Sequence, residues 1–154
     1  MTAEHDAQVE RLEREVSLLL RRSRSVLRAL AGHIHPEVDA GAYAVLLAIG
    51  RAGPLRLVEL AEEFGLDKST MSRQVGSLLR LGLVGRRPDP DDGRAFLLEL
   101  SADGRERLDA VSGARHEVWR ERLAEWSPEE IGALADGLTR LATTLPVPER
   151  PDSP

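Results

Sequence analysis

The chain has no cysteine, which excludes disulfides, thiolate metal ligands and redox sensing through a thiol. No apolar run approaches the roughly 20 residues that a membrane-spanning helix needs. The N-terminal stretch MTAEHDAQVERLEREV lacks the apolar core of a signal peptide. A cytoplasmic protein with no membrane partner is expected. Enzyme signatures are missing too: there is no phosphate-binding glycine loop, no HExxH and no nucleophile elbow. Asp89-Pro90-Asp91-Asp92-Gly93 superficially resembles a calcium loop, but the later ligand positions are wrong and Pro90 intrudes. His33 and His35, two apart, do not share a helix face, which argues against a metal site with His116. No catalysis, cofactor or metal is expected.

A further absence is local. The 154 residues carry a net charge of −5. Yet no acid lies between Asp67 and Asp89, while Lys68, Arg73, Arg80, Arg86 and Arg87 fall inside that interval. An acidic body with one basic strip binds a polyanion in a single orientation.

What is present reads as a mainly α (α+β) chain. Apolar residues make up 42%, enough for a core. Val9, Leu12, Val16, Leu19, Val26, Leu30 and Ile34 recur at three- and four-residue steps, predicting a helix from about Ala3 to His33. Such a stripe is either a long core helix or a dimerisation helix; one small domain cannot cover all of it. Asp39 caps AGAYAVLLAIGR, which is apolar on nearly every side and so central, and Gly53-Pro54 stop it. Leu55-Arg56 form a brief strand. Leu57 to Phe64 and a capped helix from Asp67 to Leu81 follow, separated by Gly65. Leu83-Val84 and Ala95 to Leu100 are strand-like, joined through PDPDDG. Ser101 starts a helix reaching about Trp126, and Ser127-Pro128-Glu129-Glu130 starts the last, with its seam on Ile131, Leu134, Leu138, Leu141 and Leu145.

Helix, turn, helix and hairpin in this order make a winged helix, in which the second helix lies in the major groove. Its outward face carries Ser69, Thr70, Ser72, Arg73 and Gln74. Arg73 can donate two parallel bonds to guanine and Gln74 can pair with adenine. The three hydroxyls are short enough to meet phosphates. Lys68 opposes the helix dipole, which makes sense beside a phosphate. At the hairpin tip Arg94 can enter the minor groove. Asp91 or Asp92 would brace the tip by pairing with Arg94, Arg86 or Arg87; the sequence does not say which. The competing reading is a winged helix used for protein interaction, against which Arg73 and Gln74 argue, since protein-binding helices offer apolar anchors.

The block LAEEFGLDKSTMSRQVGSLLRLGLVGRRPDPDDGRAFLLELSADG resembles the MarR family of bacterial transcription regulators. The resemblance rests on ELA in the first helix, ST-x-S-R in the second, the GLV after it, the DPDD-x-R wing and the L-x-L-S strand with Gly104. It implies a homodimer on a palindromic double-stranded operator near its own or a neighbouring gene, with repression relieved by a small ligand. By position it places DNA contacts on Ser69, Thr70, Ser72, Arg73, Gln74 and Arg94, with Lys68 at a phosphate. Gly93 departs from the larger or charged residue common there, so a second wing contact is not implied. The family's effector pocket maps near Leu30, His33, Tyr43, Arg115 and His116, a mixture suited to an amphipathic aromatic acid; Tyr43 in the core and the histidines at the surface is the simpler reading. The expected organisation is an N-terminal dimerisation helix over 1–38, a winged helix-turn-helix lobe over 39–100, C-terminal dimerisation helices over 101–145 and a loose tail over 146–154.

Overall fold

The computed structural model describes residues 2–144; Leu145 and the expected tail lie outside them. Helix α1 (Ala3–Ile34) is followed by α2 (Ala40–Ala52), β1 (Leu55–Arg56), α3 (Leu57–Glu63) and α4 (Lys68–Arg80). Then come β2 (Val84–Pro88), β3 (Phe96–Leu100), α5 (Ala102–Arg122) and α6 (Pro128–Thr144). The caps of α2 and α4 are those the sequence predicts. The Asp39 carboxylate accepts the Ala42 N–H at 2.8 Å, and Asp67 accepts that of Thr70 at 2.8 Å. Gly65, at φ 60°, takes the left-handed turn between α3 and α4 that a side chain would disfavour.

The core forms around α2, which buries Ala42, Tyr43, Val45, Leu46, Ala48 and Ile49. Against it pack Leu60 of α3, Met71, Val75 and Leu78 of α4, Leu98 of β3 and Leu108 of α5. The sheet is antiparallel in the order β1-β3-β2, with Val84 opposite Leu100, Pro88 opposite Phe96 and Leu55 opposite Leu98. The hairpin is longer than the sequence suggests. Arg86 and Arg87, expected outside a strand, pair with Leu98 and Leu97 and carry the ladder outward.

Helix α5 ends at Arg122, four residues short of the expected Trp126. The Leu123 N–H still bonds to Trp119 O, but Trp126 N–H turns to Leu123 O instead. A new helix starts there: Ser127 and Glu130 form a reciprocal cap at the start of α6, at 2.8 and 3.2 Å.

Two joints fasten α5, one to α1 and one to the winged helix-turn-helix. Arg107 bonds Asp103 and donates at 3.0 Å to the Ile34 carbonyl at the end of α1. The first turn of α5 lies on the α4–β2 turn: Ser101 N–H donates to Leu83 O, and Ser101 Oγ to Gly82 O at 2.6 Å. Gly104 makes the approach possible, because a Cβ there would sit 2.8 Å from the Leu83 carbonyl carbon.

The remaining helical surface is uncovered in one chain. Only Ala31 and Ile34 of α1 are buried, and Leu12, Leu19 and Val26 are about half exposed. Helix α6 buries none of its side chains.

Candidate nucleic-acid interface

Helix α4 divides cleanly into two faces. Met71, Val75 and Leu78 are buried, while Lys68, Ser69, Ser72, Arg73 and Gly76 are exposed. Asp67 organises the first turn. It accepts the Ser69 hydroxyl, and the Thr70 hydroxyl at 2.7 Å in addition to the Thr70 N–H. The Ser69 hydroxyl first, then the Thr70 hydroxyl and N–H, hold the Asp67 carboxyl far below the ordinary carboxylate range. Both hydroxyl protons are therefore engaged by Asp67 rather than free for a phosphate. Arg73 reaches back to the Thr70 oxygen at 3.2 Å, and Ser72 is exposed beside it.

Gln74 stands differently from the sequence expectation. It is half-buried, and its amide lies over Gly41 at the start of α2, so close that a Cβ on Gly41 would fall 2.7 Å from Nε2. The cause is helical spacing. Position 74 is three residues from Met71 and four from Leu78, on the inward stripe rather than the outward one. In this conformation Gln74 fits α4 to α2 and does not present its amide to a base.

The hairpin tip is held by a different brace from the one expected. Among the described residues Asp91 and Asp92 make no ion pair with Arg86, Arg87 or Arg94. Asp92 braces locally, accepting the Arg94 N–H at 3.0 Å. Arg87 faces Glu99 at 3.6 Å across the hairpin. The ion pair that holds the tip joins Asp89 to Arg56 Nε at 2.6 Å. Asp89 is the only buried charged residue among those described. Sequence reading missed this pair because its members lie 33 positions apart; the available hint was Asp89 fixed between Pro88 and Pro90. Arg56, then the Asp91 N–H, hold the Asp89 carboxyl below its usual range. The folded value thus lies below the ordinary 3.8. The brace is therefore fully present above that pH and lost only as pH falls through the depressed value. Arg86 and Arg94 remain exposed.

The residues expected near an effector are partly assembled. Tyr43 is fully buried, and among the described residues its hydroxyl has no hydrogen-bond partner. Burial pushes the Tyr43 phenol up, and the charge of nearby Arg115 pulls it back in part. Leu30 and Arg115 are half-buried, whereas His33 and His116 are exposed. The His33 Nδ1 lies 2.7 Å from the Ala29 carbonyl, so His33 satisfies its own helix. Replacing Tyr43 with phenylalanine removes an unsatisfied buried hydroxyl. The expected result is stability unchanged or raised by up to about 1 kcal/mol in denaturant titration.

Comparison with known proteins agrees with this geometry. Residues 37–95 match the MarR family model. An HTH-type transcriptional regulator of Bacillus subtilis (strain 168), YxaD, is 34% identical over 133 residues, covering 86% of this chain and 92% of that one. The multiple antibiotic resistance protein MarR of Salmonella typhimurium is 33% identical over 78 residues, 50% of this chain and 54% of that one. Among solved structures, one of MarR superposes with a TM-score of 0.68 at 27% identity, over 86% of this chain and 88% of that one. A probable transcriptional regulator from Pseudomonas aeruginosa gives 0.59 at 34% identity, over 84% and 98%. The chain therefore belongs to the MarR family of transcriptional regulators, with α3, α4 and the β2–β3 hairpin as its winged helix-turn-helix.

Proposed function

We propose that the protein is a homodimeric repressor that binds a palindromic DNA operator near its own or a neighbouring gene and is released by a small effector. The observation that carries the reading is the outward face of α4. Arg73 stands exposed there among short polar side chains, with no carboxylate paired to it among the described residues. A face without apolar anchors is poorly suited to a protein partner and well suited to a groove edged with acceptors. Arg73 reads a guanine, Ser72 and Lys68 meet phosphates, and Arg94 enters the minor groove at the wing. Ser69 and Thr70 serve first to set the cap, and reach phosphate only by releasing Asp67.

Such binding depends on neutralising phosphates, so affinity for a genomic operator fragment should fall linearly with salt on logarithmic axes. Absence of affinity above background at low salt would remove the reading altogether.

The dimer is supported by the uncovered stripes of α1 and α6, which one chain cannot bury. A charge placed on that seam stays in water only if the chains part. Leu138→Glu should therefore sediment at micromolar concentration as one chain where the unaltered protein sediments as two. Equal masses for both proteins would count against this seam.

Effector release is supported by the orphan hydroxyl of Tyr43 and the neighbouring charge of Arg115, which together suit an aromatic acid. A dimer held on its operator obstructs transcription, and a ligand that binds one arrangement of the lobes better than the other lifts the block.

A further inference from the structure

We propose that Arg56, lying outside both the recognition helix and the wing, is a positioning residue that fixes where the wing tip points and so aims Arg94. The inference rests on the DNA reading above and concerns how the two DNA-facing parts are held to one another.

Asp89 is the hinge of the tip. Its own N–H donates to the Ala95 carbonyl at 3.1 Å and closes the loop, and its Oδ1 accepts the Asp91 N–H at 2.9 Å. The Ala95 N–H returns to Asp92 O at 2.9 Å, so Arg94 lies between tied residues. The side chain of Asp89 is only 2% exposed. A buried carboxylate is unfavourable without a cation in good geometry, and Arg56 supplies it. Arg56 is itself fixed on two sides. Its N–H donates to Glu59 Oε2 at 2.6 Å in the first turn of α3, and it pairs with Leu97 of β3 in the sheet. Pro88 and Pro90 restrict the backbone on either side of Asp89.

The tip is thus referred to the first helix of the helix-turn-helix rather than only to its own hairpin. A wing held this way keeps a set distance between the base contact of Arg73 and the groove contact of Arg94. A looser wing would still carry Arg94 but would lose binding through the cost of ordering it.

The experiment uses the full-length dimer carrying Arg56→Gln, Arg94→Ala or both. Arg56→Gln/Asp89→Asn is included because it leaves no stranded buried charge if the single variant folds poorly. Without DNA, amide exchange over 89–95 should quicken in Arg56→Gln while that over 68–80 stays unchanged. On an operator fragment, Arg56→Gln should lose as much affinity as Arg94→Ala, between about tenfold and a few hundredfold. The double variant should lose no more than Arg94→Ala alone, whereas losses from Arg73→Ala and Arg56→Gln should multiply. Arg56→Lys, which keeps the charge, should recover part of the loss. Unchanged exchange at the tip, or multiplying losses for Arg56 and Arg94, would overturn the proposal. A loosened tip with no loss in Arg94→Ala would overturn the DNA reading of the wing, and the aim inferred for Arg94 with it.

Discussion

Operator binding by the Arg73→Ala dimer is expected to be weaker by about 2–6 kcal/mol, from about 1–3 kcal/mol for each bidentate base contact in two half-sites. That corresponds to between about thirtyfold and about twenty-thousandfold in dissociation constant. The effect should be large because the chain has few groups to share it. The whole molecule has a net charge of −5, the Ser69 and Thr70 hydroxyls are engaged by Asp67, and Gln74 packs over Gly41. Arg73 is exposed and its nearest recorded partner is a neutral hydroxyl, so the free protein should be no less stable without it. Equilibrium titration with operator fragments measures the change. Base preference should relax at one position per half-site while thermal stability holds. A loss that is equal for operator and random DNA would instead assign Arg73 to phosphate.

The second large effect is on stability. Gly104→Ala should destabilise the fold by about 3 kcal/mol or more, at or beyond the upper end usual for overpacking. The added methyl would meet the Leu83 backbone rather than the end of a flexible side chain, so relief requires moving the α4–β2 turn or α5. Either movement breaks the bonds from Ser101 to Gly82 and Leu83. This joint also links α5 to the start of the wing, so a variant that still folds should bind operator poorly as well. Denaturant unfolding of Gly104→Ala beside Gly113→Ala makes the comparison, since a Cβ at Gly113 meets nothing within 4 Å.

Local pattern gave the helices and their order because caps and apolar spacing act within a few residues. Asp39, Asp67 and Ser101 cap the helices that the sequence assigns to them. What stayed hidden depends on contacts between distant segments. Gln74 rests over Gly41 because it lies on the Met71–Leu78 stripe, a placement that its polar character does not announce. The Arg56–Asp89 pair has no local signature, and its turn looks like any Asp- and Pro-rich tip. The early end of α5 follows from the cap at Ser127, which sequence shows as a start for α6 but not as a stop for the helix before it. Tyr43 and Arg115, whose charge acts on the Tyr43 phenol, belong to α2 and α5, which are far apart in the chain.

Two copies of α4, related by a dyad, are expected to read DNA together. Selection of bound fragments from genomic DNA by the full-length protein tests it most directly. The expected product is an inverted repeat whose half-site centres lie about 10–10.5 base pairs apart, or a multiple of that spacing. Recovery of fragments no different from the input, or of a motif without inverted symmetry, would contradict it.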